Sequence, residues 1–428
     1  MAKTPDIVEL QFTNLLGELK SIDLDYKRFK EAIKLGKGVD GSSIHLAPIE
    51  KSDVVLKPIM ETYFQVPWNS VEAARVLCDL YRPAESVSEF GKEREYEYAP
   101  RYILKRMLRE AKDEGYDFNM SAEMEFFALN DGRPLDFVGY FSPPPLDKGV
   151  SLRRDIFKTL MQVGIECEYL HHEVSNGQYE ISLRYENALK TADNVMSFKY
   201  VAKNIAARKG MTVTFMPKPF AGMNGSGMHM HMSLNQKGRN AFYGREKISE
   251  KAKHFIGGLL AHAKAIAALA ASTVNSYKRL VAGYEAPVYL CWGFMNRTAL
   301  IRVPSFNSVK SARVELRMPD PKCNPYLVEA AVLAAGLHGL REKLDPGEPT
   351  AKNAYENEGD FEQLPSTLKD ALGELEKDKL IGEALGEKVK EKYISLKMKE
   401  WQDYERNHPE WNPLEITEWE RNKYLDTF

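Results

Sequence analysis

The stretch GMHMHMSL, residues 227–234, alternates polar and apolar side chains without a break. Successive side chains of an extended strand point to opposite faces. His229, His231 and Ser233 therefore share one face, and Met228, Met230 and Met232 the other. The same rule reads outward along the chain. In EMEFF (123–127), Glu123 and Glu125 face away from Met124 and Phe126. In GQYEISLRY (177–185), Gln178, Glu180, Ser182 and Arg184 lie opposite Tyr179, Ile181 and Leu183. In SARVELRM (311–318), Arg313, Glu315 and Arg317 lie opposite Val314, Leu316 and Met318. A solvated strand face is normally richer in Lys, Thr and Ser. Glu, His and Arg on four such strands, with bulky apolar groups behind, predict a cleft floored by carboxylates, imidazoles and guanidiniums.

Those residue types suit one chemistry. Hard divalent cations take carboxylate oxygens with an occasional imidazole, and arginines recognise phosphate or carboxylate with two parallel hydrogen bonds. Together they fit ATP-dependent phosphoryl transfer. No Walker sequence and no dinucleotide glycine fingerprint opens a helix, and the Gly-rich Asn224–Gly227 runs into a strand. The nucleotide site is expected to be of another kind.

The chain of 428 residues carries 59 Lys and Arg against 61 Asp and Glu, which argues against nucleic-acid binding. The opening MAKTPDIVELQF has no apolar signal core, and no run reaches the ~18 apolar residues of a bilayer span. Cys78, Cys167, Cys291 and Cys323 are widely spaced, as buried thiols of a cytoplasmic protein would be. Residues up to about 97 read as short strands and turns. The charged, Tyr- and Glu-rich stretch 84–99 reads as a solvated linker or an exposed edge, which puts the domain boundary there. Helices are expected over 101–116, 153–165, 191–208 and, as one long element, 251–271. From Asn324 onward the chain reads as helical, and its aromatic end has two readings, ordinary packing within the chain or docking on a neighbouring subunit. Lys278 reads as a surface cation, His172 as a supporting group, and His45, His254 and His262 as ordinary histidines.

Seven strings occur in order along the chain: DGSS (40–43), EMEFF, HHEVSNGQYE (171–180), MPKPFAGMNGSGMHMHMSL (216–234), NSYKRLVAGYEAP (275–287), NRTALIRVP (296–304) and ARVELRMPDPKCNPYL (312–327). The ordered set resembles the successive signatures of type I glutamine synthetase over nearly the whole chain. That resemblance implies an α+β fold: an N-terminal β-grasp domain, 1–97, and a catalytic domain, 98–428. The latter would have a curved antiparallel sheet flanked by helices and a C-terminal helical segment. It also implies a homo-dodecamer of two hexameric rings, with each active site between neighbouring subunits of a ring.

By the same resemblance, Glu125, Glu173 and Glu180 hold one Mg²⁺ or Mn²⁺ near glutamate, and Glu123, His229 and Glu315 hold a second on the ATP phosphates. Asn224, Gly225, Arg279 and Arg317 bind glutamate, Arg297 faces the transferred phosphate, and Glu285 is the flap carboxylate. Tyr185, His231, Ser233, Arg302, Lys310 and Arg313 form the nucleotide site. Asp40 of the adjacent subunit, with Ser43, Tyr140 and Glu173, forms the ammonium pocket. The implied reaction joins ammonia to the γ-carboxylate of L-glutamate through γ-glutamyl phosphate.

Several positions depart from the family pattern. Met223 and Met295 stand where an acid and an arginine are common. Pro48 stands where a glutamine-feedback arginine lies in one subgroup. Tyr355, in Asn353-Ala354-Tyr355-Glu356, matches a tyrosine that is adenylylated elsewhere, but its altered context predicts no modification. A metabolite effector or a small regulatory protein partner stays open. So do two other functions, a γ-glutamyl-amine ligase and an inactive nitrogen-sensing paralogue. Retention of the Asp40 carboxylate favours ammonia over an alkylamine, and the full ligand set favours an active enzyme.

Overall fold

The computed structural model describes residues 4–69, 71–84, 86, 94–245 and 247–428. Strands β1 (Ile7–Thr13) and β2 (Leu19–Asp25) form an antiparallel hairpin, and helix α1 (Tyr26–Leu35) follows at once. The strands-and-turns reading of this region missed α1. Its signals are the Asp25 cap, which accepts from the Arg28 amide at 3.0 Å, and Phe29 and Ala32 buried three residues apart. With β3 (Lys37–Asp40), β4 (Asp53–Pro58), β5 (Phe64–Gln65) and β6 (Ala73–Tyr81), the first sheet runs β2-β1-β6-β4-β3, with β5 beside β6. Val8, Leu10, Leu56 and Val76 pack beneath α1 in a core of their own.

The stretch read as a solvated linker or an exposed edge pairs with the sheet and ends inside that core. Glu95 bridges to Tyr81, and the Tyr96 hydroxyl donates to the Leu46 carbonyl at 2.9 Å. A tyrosine ring supplies apolar area while its hydroxyl keeps a polar partner, which composition alone does not reveal. Residues 85 and 87–93 of that stretch lie outside the described residues.

Beyond α2 (Pro100–Asp113) comes the long strand β7 (Tyr116–Asn130) with the short β8 (Arg133–Pro134). Then follow α3 (Val150–Gln162), β9 (Cys167–His172), β10 (Gln178–Leu183), β11 (Glu186–Asn187) and α4 (Ala188–Arg208). After β12 (Thr212–Thr214), β13 (Met230–Gln236) and β14 (Arg239–Asn240) come three helices, α5 (Glu250–Ala261), α6 (Ala263–Ala270) and α7 (Ser276–Arg279). Strands β15 (Trp292–Phe294), β16 (Ile301–Val303) and β17 (Val314–Leu316) complete a sheet ordered β15-β16-β17-β13-β7-β10-β9. Its pairings among the described residues are antiparallel except β15–β16.

The sheet is amphipathic in the expected sense. Met120, Met124, Phe126, Met230 and Met232 point into the main core, where α4 and the largely buried α8 (Pro325–Glu342) pack. The helix expected over 251–271 is two helices, broken at His262. The His262 ring bonds to Asp378 at 2.6 Å and to His338 at 3.0 Å. Small apolar residues continue on both sides of the break, so periodicity does not show it. Helices α9 (Leu368–Lys377), α10 (Lys379–Leu385), α11 (Glu387–Asn407) and α12 (Glu418–Tyr424) close the chain. Of the two readings of their aromatic residues, packing within the chain is the one seen at Trp411 and Tyr404, which sit over the Lys278 ammonium. Lys278 is not a surface cation but fully buried. No described helix is long and apolar enough to cross a membrane.

Candidate active site

Four adjacent strands carry the polar face. Register sets Glu125 opposite Glu180 and Glu123 opposite Ser182 across β7–β10. It sets His231 beside Ser121 on one side and Glu315 on the other. The alternation fails only at Arg184. A register shift between Ser182 and Leu183 carries it off the face, and it pairs with the Glu166 carboxylate.

Over this face lies a cavity of about 420 Å³, lined by Glu123, Glu125, Glu173, Glu180 and His229. Asn224, Gly225, Arg279, Arg317, Tyr140, Glu285 and Arg297 line it too. A second cavity of about 300 Å³ is lined by His231, Tyr185, Lys310 and Arg313. Glu123 and Tyr169 belong to both walls. Ser233 sits behind the second cavity, hydrogen-bonded to the Tyr185 hydroxyl. Arg302 lines neither cavity and binds the Glu315 carboxylate from behind. Asp40 and Ser43 stand apart from both, on an exposed turn. There the Ser43 and Ser42 hydroxyls donate to Asp40 and hold its carboxyl down at about 2.

Charge in the first cavity is sharply divided. Burial works against ionisation of Glu123, but His231 (2.8 Å) and His229 (2.9 Å) hold its carboxyl well below the usual range. Glu315 behaves alike: burial is outweighed by Arg317, 2.7 Å away, and by His231, leaving it at about 2. Glu125 and Glu173 go the other way. Burial and the neighbouring Glu180 push Glu125 up to about 8. Burial with Glu125 and Glu180 pushes Glu173 up to about 10. Crowded carboxylates that cannot all ionise are what a hard cation relieves. One ligand atom each from Glu123, His229 and Glu315 lies within 4.8 Å of the others, and the same holds for His171, Glu173 and Glu180. The donor set fits two divalent ions.

His171 is the functional candidate the sequence reading passed over. Its ring nitrogens lie 3.6 Å from Glu173 and 3.6 Å from Glu180. Burial opposes its protonation, yet the Glu180 carboxylate keeps its pKa above the ordinary value. The signal was available: Tyr169, His171 and Glu173 follow the same period-two rule, and all three line the cavity. Its neighbour His172 faces inward and is indeed a support, 2.8 Å from Asp136. Asp136 also accepts from the Tyr179 hydroxyl and the Gly177 amide, so that buried group is saturated by donors.

The glycine loop makes close packing possible. A Cβ on Gly225 would collide with the Pro217 carbonyl and come within 2.8 Å of the Arg279 side chain. One on Gly227 would lie 2.6 Å from the Arg279 guanidinium and 2.8 Å from the His229 ring. Arg279 itself is fixed by donating to the Met318 carbonyl at 2.8 Å and the Arg317 carbonyl at 3.1 Å. Two buried guanidiniums thus face the carboxylate cluster.

Residues 97–417 match the family model described as "Glutamine synthetase, catalytic domain", and residues 5–83 match "Glutamine synthetase, beta-Grasp domain". The chain is 45% identical to a "Glutamine synthetase" of Pyrococcus woesei over 98% of its own length and 96% of the relative's. It is 44% identical to one of Thermotoga maritima with the same two coverages. A solved structure, "GmaS/ADP complex-Conformation 1", superposes with a TM-score of 0.86 at 32% identity, covering 98% of this chain and 97% of the other.

Proposed function

The chain belongs to the glutamine synthetase family, and we propose that it joins ammonia to the γ-carboxylate of L-glutamate at the expense of ATP. The observation that carries this reading is Glu123, shared by both cavities. A nucleotide in the smaller cavity would present its phosphates, beside that carboxylate, to a substrate in the larger one.

Glu125, Glu173 and Glu180 would hold one Mg²⁺ or Mn²⁺, and Glu123, His229 and Glu315 another. When bound, such ions neutralise the charge on the transferring phosphoryl group. The chain's own groups do the rest. Arg279 and Arg317 orient glutamate by its carboxylates, with Asn224 and Gly225 along its backbone. Tyr185, His231, Lys310 and Arg313 seat the nucleotide, with Ser233 supporting Tyr185 and Arg302 supporting Glu315 from behind. The γ-carboxylate oxygen attacks the γ-phosphorus, ADP departs, and Arg297 faces the transferred group. Tyr140 and Glu173, completed by Asp40 and Ser43 of an adjacent copy, hold ammonium, which loses a proton and attacks the acyl carbon. Glu285 covers the acyl phosphate and keeps water away.

The need for a second copy's Asp40 motivates the ring assembly, proposed as a dodecamer of two hexamers. We place the domain boundary at 97/98 and the protein in the cytoplasm. The test is product identity. With ATP, Mg²⁺, L-glutamate and equal ammonium, ethylamine and putrescine, glutamine should dominate. A γ-glutamyl alkylamide as main product would overturn the choice of ammonia, and absence of ADP would overturn the enzyme.

A further inference from the structure

Tyr355 follows Asn353, whose side chain accepts from the Tyr355 amide at 3.1 Å and starts a single helical turn. The tyrosine ring is half-buried against a small core of Tyr289, Cys291, Ala299 and Ala354. Its hydroxyl donates to the Ala286 carbonyl at 2.9 Å. One residue earlier, the Glu285 carbonyl accepts from Arg317 at 3.3 Å.

These two bonds sit at a boundary in the flap. Gly283 and Glu285 have φ of 87° and 57°, and Glu285 is exposed while Ala286 is buried. A non-glycine residue in the left-handed region carries strain that its surroundings must hold. Downstream the chain is pinned, with the Leu364 amide donating to Val288 and the Leu290 amide to Glu362, each at 2.8 Å. The bonded stretch therefore begins at the carbonyls of Glu285 and Ala286. The Tyr355 turn is also tied to the loop of Arg297: the Ala354 amide donates to Thr298 at 2.9 Å, and Asn296 donates to the Lys352 carbonyl at 2.9 Å.

We propose that Tyr355 is a positioning residue whose hydroxyl latches the hinge of the 282–285 flap, so that Glu285 is held over the cavity in register with Arg297. The inference rests on the function proposed above, in which Glu285 shields the acyl phosphate. Burial raises the phenol's pKa, which keeps the hydroxyl a donor.

Tyr355→Phe removes one oxygen and keeps the ring, so the fold and the half-saturating ATP concentration should hold. Two readouts apply to the full-length protein. Without substrates, amide hydrogen exchange of the peptide spanning residues 282–289 should quicken about fivefold, as for one lost hydrogen bond. In turnover, the glutamine-to-ADP ratio should fall, because water attacks the acyl carbon of γ-glutamyl phosphate and returns glutamate and phosphate. Unchanged exchange overturns the latch, and faster exchange with an unchanged ratio overturns its role in shielding. The exchange arm needs no catalysis, so its failure is distinct from failure of the wild-type protein to make ADP.

Discussion

Lys278 Nζ lies 2.7 Å from Glu420 Oε2, and both side chains are wholly buried. Glu420 also accepts from Asn275 at 2.8 Å and from the Thr417 hydroxyl at 2.8 Å, and Lys278 donates to the Tyr404 hydroxyl at 3.0 Å. The next residue after Lys278 is Arg279, a wall of the larger cavity. Helix α12, near the end of the sequence, thus braces the arginine that faces the carboxylate cluster.

Breaking that pair leaves one charge buried without its partner. Glu420→Gln is expected to cost about 3–5 kcal/mol and to raise the half-saturating glutamate concentration, read by thermal melting and steady-state kinetics. Lys278→Met with Glu420→Leu should recover much of the lost stability, because no bare charge remains. Simple additivity of the two single losses would contradict the pairing.

The raised carboxyls predict a pH dependence of the metal-free protein. Glu125 at about 8 and Glu173 at about 10 keep protons that an unfolded chain, with glutamates near ~4.3, releases. The folded state therefore binds more protons above that value, and its stability falls as pH rises, up to about 8 through Glu125 and up to about 10 through Glu173. A divalent cation takes over the neutralising role. The rise in melting temperature on adding Mg²⁺ should be larger at about pH 8 than at about pH 6. Equal rises at both would count against cation binding at these carboxylates.

Gly225 is confined by its neighbours rather than by its dihedral angles. Gly225→Ala would push against the Pro217 carbonyl and the Arg279 side chain. The expected cost is about 1–3 kcal/mol of stability, with weakened glutamate binding as Arg279 shifts. Glutamate titration by calorimetry checks this, and wild-type affinity would show that the loop has room to give.

Much of this site was legible because period two is a strong signal. Glu123 and Glu125, Gln178 and Glu180, and His229 and His231 fell on the cavity face as the alternation required. The register that joins them across strands was not in the residues, since pairing partners lie about 50 to 120 positions apart. Helix α1 was lost to its polar surface, and the His262 break was masked by alanines on both sides. Lys278 was misread because its partner is 142 residues away. Asp40 and Ser43 were recognised by resemblance alone. Their turn stays exposed in the single chain, apart from both cavities.

The central claim is that glutamate's own γ-carboxylate oxygen attacks ATP. The protein should be supplied with L-glutamate labelled with ¹⁸O in that carboxylate, together with ATP, Mg²⁺ and ammonium, and the released phosphate weighed by mass spectrometry. The account predicts that each phosphate formed with glutamine carries one oxygen from glutamate. Unlabelled phosphate accompanying glutamine would contradict it.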